Sequence, residues 1–106
     1  MISIEDFKKL EIKIGTVISV ERIEGADKLL KLQIDFGSEQ RQILAGLAQF
    51  YAREILIGKQ MPVIVNLEPR TMKGLESQGM ILAAGNGVEP VLLMPEKPVP
   101  PGSEVR

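Results

Sequence analysis

Two stretches of this sequence gather the side chains able to grip a ligand. The segment "ERIEGADKLLK" carries Arg22, Lys28 and Lys31, while "NLEPRTMKGLESQGMILAA" carries Arg70 and Lys73 with Asn66, Ser77, Gln78 and Met80 around them. A guanidinium offers a planar fork matched to phosphate and an ammonium a compact charge, so these residue types suit non-covalent capture of an oxyanion. Covalent chemistry is disfavoured by what is missing. The chain has no histidine and no cysteine, which removes the usual zinc sites, disulfides, and the Ser-His and Cys-His nucleophile pairs. Carboxylates, lysines, serines and the lone Tyr51 remain, with no Walker-type or Rossmann-type glycine pattern beside them. We therefore expect no catalytic residue, no metal site and no cofactor.

Charge leaves two readings of these stretches open. The net charge is −1, from 13 basic and 14 acidic residues, so no global field draws the chain to a polyanion. Glu24, Asp27, Glu68 and Glu76 sit among the cations, and over residues 66–80 Arg70 and Lys73 are balanced by Glu68 and Glu76. The cations are then either solvated surface or a rim for phosphates, and phosphate-dominated affinity normally rests on several unopposed Lys or Arg. The companions divide in the same way. Ser77 and Gln78 either hydrogen-bond a phosphate, ribose or base edge or satisfy the loop's own backbone. Met80 either packs on an unstacked base or joins the core. Asn66 either reads a nucleotide or pins the returning loop, and Gly74 either admits a phosphate or makes a turn. With three Phe, one Tyr and no Trp, all at positions of apolar periodicity, large stacking platforms are not expected.

The elements that must hold these residues follow from periodicity. Ser3 ahead of Asp6, with Ile4, Phe7 and Leu10 at helical spacing, predicts a short amphipathic helix over residues 3–10. From Glu11 the period becomes two: Ile12, Ile14, Thr16, Ile18 and Val20 on one face of a long strand, Lys13, Val17, Ser19 and Glu21 on the other. Leu30, Leu32, Ile34 and Phe36 define a second strand and "RQILAG" a third, opened by Arg41. "LAQFYAREILI" predicts a helix over 47–57 closed by Gly58, followed by strands "MPVIVNL", "GMILAAG" and a short "VLLM". The tail over 95–106, rich in proline, is either an extended arm packed on the barrel or partly disordered. Three strands, a helix and two more strands is the order of an all-β, five-stranded Greek-key barrel of the OB-fold type, with a generic sandwich as the alternative. Such barrels bind oligonucleotides through the loops joining strands one to two and four to five, which here are residues 23–29 and 66–78.

The segments "GADKLLKLQIDFG", "ILAGL", "VNLEPRTMKGLESQGMILAA" and "PPGSEV", together covering nearly the whole chain, resemble the tRNA-binding domain appended to methionyl-tRNA synthetases. The same domain occurs in free-standing structure-specific tRNA-binding proteins, phenylalanyl-tRNA synthetase beta chains and factors related to endothelial monocyte-activating polypeptide. The resemblance implies an OB barrel that dimerises and binds tRNA by shape, raising tRNA affinity for the catalytic domain of an aminoacyl-tRNA synthetase in cis or in trans. Catalysis would then reside elsewhere, and the "HIGH" and "KMSKS" signatures of synthetases are absent here. Under this resemblance the tRNA-binding candidates are Lys28, Lys31, Arg41, Asn66, Arg70, Lys73, Ser77, Gln78 and Met80. Ile4, Phe7 and Leu10 are the candidates for a homodimer interface, unless the helix merely plugs one barrel end. The alternatives are a free-standing tRNA-binding or chaperone protein and a dimerisation scaffold with little RNA contact. With no long apolar run and no signal-peptide pattern, a single cytoplasmic domain over 1–106 with no membrane partner is expected.

Overall fold

The structure is a computed structural model and describes residues 1–106. Helix α1 (Ile4–Lys8) precedes strands β1 (Ile12–Ile23), β2 (Ala26–Asp35) and β3 (Gln40–Ala45); a single helical turn, α2 (Arg53–Leu56), leads into β4 (Gln60–Ile64). Five short strands follow: β5 (Arg70–Met72), β6 (Leu75–Ser77), β7 (Met80–Ile81), β8 (Ala83–Gly85) and β9 (Pro90–Leu92). The main sheet is antiparallel with order β3-β2-β1-β4-β7, and β5-β6 and β8-β9 are separate hairpins.

The core is aliphatic, as the scarcity of aromatics requires. Leu30, Leu32 and Ile34 alternate along β2 and are buried against Ile43, Met61, Val63, Leu47 and Leu56. One face assignment is overturned. In β1 it is Val17 that is buried and Ile18 that is 43% exposed. The pairing with β2 jumps between Val17 and Ser19, and a bulge inserts one residue, so the alternation changes phase there. Before the bulge Gly15 lies on the core face, where a Cβ would collide with the side chains of Ile34 and Phe36.

The helix expected over 47–57 contracts to α2. Phe50 and Tyr51 both donate their N–H to the carbonyl of Leu47, at 3.0 Å each, so the chain makes a tight turn that lets Leu47 and Leu56 enter the core from separate points. Gly58 closes the segment with φ +86°, a left-handed cap suited to glycine.

Strand β3 is joined to residues 76–78 by both side-chain and main-chain hydrogen bonds. Leu44 N–H donates to Ser77 Oγ at 3.0 Å, Gln42 N–H to Gln78 Oε1 at 3.2 Å, and Gln78 N–H to the Gln42 carbonyl at 2.9 Å. Gln42 Nε2 adds a bond to the Glu76 carbonyl at 2.9 Å. This seam holds β3 beside the segment that leads into β7, although the two strands form no ladder with each other.

The tail is ordered. Ile14 N–H donates to the Ser103 carbonyl at 2.8 Å, Gly102 N–H to Ile14 at 2.7 Å and Val105 N–H to Ile12 at 2.8 Å, so the tail lies along β1 where β2 has ended. Gln60 anchors its start, donating to the Val99 carbonyl at 2.7 Å and accepting from its N–H at 3.0 Å.

Candidate nucleic-acid interface

The connection over 66–78, expected to be a loop, contains the hairpin β5–β6. Arg70 pairs with Ser77, Thr71 with Glu76 and Met72 with Leu75, leaving Lys73 and Gly74 as a two-residue turn with φ of 52° and 77°. Positive φ at both central positions is the type I′ turn, which matches the twist of the flanking strands. Glycine suits its second position; a lysine at the first is out of the ordinary, because left-handed geometry crowds Cβ against the backbone. Asparagine or glycine would occupy this place more comfortably, so Lys73 sits at the tip of the turn at a local backbone penalty.

The nine tRNA-binding candidates separate by what their side chains already do. Ser77 is 2% exposed, and besides accepting from Leu44 its hydroxyl donates to the Gly79 carbonyl at 3.2 Å. Gln78 is held in the seam. Arg41 is only 26% exposed in its side chain; it pairs with Glu39 at 2.6 Å, donates to the Gln78 carbonyl at 3.2 Å and also bonds the Val65 carbonyl. Asn66 donates to the Lys9 carbonyl at 2.7 Å and accepts from Glu11 N–H at 2.8 Å, pinning the segment that leads from α1 into β1. Gly79 explains the small residue before Met80: a Cβ there would lie 3.0 Å from the Ile64 carbonyl oxygen, 3.1 Å from Val63 and 3.2 Å from Ile43. In "SQGM", then, the first three residues are engaged by the protein itself.

Lys28, Arg70, Lys73 and Met80 remain uncommitted. None of the three cations forms an ion pair or a side-chain hydrogen bond. Lys31 faces Glu21 across the β1–β2 ladder at 3.4 Å, a surface contact of little net value. Arg70 and Met80 line one hollow of about 230 Å³, together with Leu29, the residue next to Lys28. Leu29 of β2 and the β5–β6 hairpin thereby border a single hollow, whose lining does not include Lys28. Arg41 and Gln78 line a different hollow, beside Glu39.

Two residues escaped the sequence reading: Met72, which lines the same hollow as Arg70, and Gln42 in the seam. Met72 becomes legible once the hairpin is seen, since it stands two positions from Arg70 on one face of β5. The aromatic expectation also needs amending. Phe36 is buried at 4%, and Tyr51 is tied by its hydroxyl to the Pro90 carbonyl at 2.9 Å, but Phe50 is 41% exposed.

The chain is thus a barrel of the OB type with an apolar hollow edged by the uncommitted Arg70. Comparison with known proteins places it further: residues 12–104 match the model of the putative tRNA binding domain, and the chain belongs to that family. Methionine–tRNA ligase of Methanoregula boonei is 54% identical over all 106 residues, and that of Caldanaerobacter subterraneus 42% over 104 residues. The chain spans only 16% of the length of each of these ligases. Among solved structures, a MetRS-related protein from Pyrococcus horikoshii superposes with TM-score 0.94 at 36% identity, covering 100% of this chain and 98% of that one. The chaperone CsaA from Bacillus anthracis superposes with TM-score 0.93 at 33% identity, covering 100% and 99%. The domain is thus related both to a segment of methionine–tRNA ligases and to free-standing proteins of the CsaA type. No helix is long and apolar enough to cross a membrane.

Proposed function

We propose that this chain, acting as one unit over residues 1–106, is a non-catalytic tRNA-binding module that raises the tRNA affinity of a cytoplasmic methionyl-tRNA synthetase, joined to it in cis or in trans. The observation that carries the reading is the apolar hollow lined by Arg70, with Lys73 at the tip of the same hairpin, two cations that no protein carboxylate neutralises. Lys28, Lys31, Arg70 and Lys73 meet phosphates and Met80 meets the ligand beside them. Arg41, Asn66, Ser77 and Gln78 act through the positions they give to the hairpin and the barrel. Titration of tRNA against competing single-stranded DNA and oligosaccharide tests this. Binding of tRNA with a salt slope of several phosphate contacts is expected; displacement of tRNA by equimolar DNA, or no binding at high micromolar tRNA, overturns it.

The same module forms a homodimer in this proposal. Helix α1 buries none of its residues, and Ile4 and Leu10 are 59% and 40% exposed, with Phe7 half-buried. An apolar face left open in this way supports contact with a second copy. Two copies of a weakly basic rim then act on one tRNA by effective concentration. Sedimentation should give a dimer mass that Phe7→Glu with Leu10→Glu converts to monomer; a monomeric wild type at micromolar concentration rejects the interface.

A further inference from the structure

We propose that the hollow between β3 and the β5–β6 hairpin is a base pocket: it takes one unpaired nucleobase of the bound RNA between Met72 and Met80, with Arg70 on that nucleotide's phosphate. The proposal rests on the tRNA-binding reading and adds to it a contact that recognition through shape and backbone does not include.

The lining argues for this occupant. Eight of the eleven residues are hydrophobic, Arg70 is the one charged side chain, and no acid is present. Leu44 and Leu47, both buried, form the floor. Leu29, Met72 and the 38%-exposed Met80 line it around that floor. An apolar slot with one guanidinium at its edge complements a flat apolar ring carrying an anion. At about 230 Å³ the slot is smaller than the roughly 300–1,000 Å³ of sites for drug-sized ligands, which suits a single ring system. Thioethers are polarizable and contact π-systems favourably, so two methionines can flank a base in a protein poor in free aromatics. The neighbouring hollow around Phe50 offers an aromatic ring but is lined by Glu89 and by no cation, so a polynucleotide is better accommodated beside Arg70. Beyond Arg70 the slot presents no charged or polar side chain with which to tell one base from another, so it accepts any of them, which agrees with sequence-tolerant binding.

Burial of a base here is an apolar contribution and leaves the count of phosphate contacts alone. Met72→Ser with Met80→Ser should therefore weaken tRNA about fivefold or more with an unchanged salt slope, since each thioether–ring contact is worth a few tenths to about 1.5 kcal/mol. Ala83, exposed and in the lining of the slot, gives a variant that removes no packing: Ala83→Leu should occlude the slot and produce the same loss. A tRNA carrying 2-aminopurine at its unpaired positions in turn should show a fluorescence change on binding at one position that both variants abolish. Unchanged affinity in both variants while Arg70→Ala with Lys73→Ala still lowers it overturns the base pocket and leaves tRNA binding standing. A loss accompanied by a reduced salt slope also overturns it, because the slot would then act only by placing Arg70. Loss of all effects, including that of the cation variant, removes the tRNA reading itself.

Discussion

Replacing Arg70 and Lys73 together by alanine should weaken tRNA binding about tenfold to thirtyfold and reduce the salt slope by about two, while leaving the fold intact. Neither side chain makes an ion pair or a side-chain hydrogen bond, so their loss removes no polar contact within the protein. The magnitude follows from two charge-assisted phosphate contacts at roughly 1 kcal/mol each, one counterion being released per contact. Lys73→Asn separates charge from turn geometry. Asparagine tolerates the φ of 52° better than lysine, so this variant should keep or raise the melting temperature while still losing one unit of slope. An unchanged slope in the double variant would remove the hairpin from the interface.

The second large effect is on stability. Gly79→Val should lower it by about 2–3 kcal/mol, a fall of about 10–20 °C in melting temperature for a domain of this size. The Cβ would stand 3.0 Å from the Ile64 carbonyl, which belongs to the sheet and cannot swing aside as a side-chain tip can, and valine adds two methyl groups next to Val63 and Ile43. Ser77→Ala is the companion measurement. It leaves Leu44 N–H buried without an acceptor, at a cost of about 1–3 kcal/mol, and tRNA affinity measured well below the melting transition should not change. A Ser77→Ala protein with wild-type stability and impaired tRNA binding would mean that the hydroxyl serves the ligand and not the seam.

Why some of this could be read in the sequence and some could not is a matter of range. The alternation of Leu30, Leu32 and Ile34 records a local period, and the structure buries all three. The short helix near Ser3 was equally local, and its cap forms with Ser3 Oγ accepting from Asp6 N–H at 3.1 Å. Val17 and Ile18 defeat such reasoning because either phase of a β-branched run looks apolar, and only the pairing partner on β2 decides where the bulge falls. The hairpin β5–β6 was hidden because "KG" lacks the asparagine or aspartate that usually announces a type I′ turn. Arg70 and Lys73 could be named from their types, whereas Arg41 looks the same in sequence and is held by Glu39 and two carbonyls. The partners of Ser77 and Gln78 sit more than thirty positions earlier in the chain, and no local pattern reports a bond of that span.

The tail along β1 has one more consequence. At Ile12 and Ile14 the side of β1 facing away from β4 would otherwise present free backbone donors and acceptors, since β2 pairs only from Thr16 onward. An unpaired edge is a template on which a foreign strand can add. By occupying it with Gly102, Ser103 and Val105, the tail covers that edge from within the same chain. A form lacking these residues should therefore self-associate edge to edge at temperatures where its core is still folded, and solubility would fail before stability does.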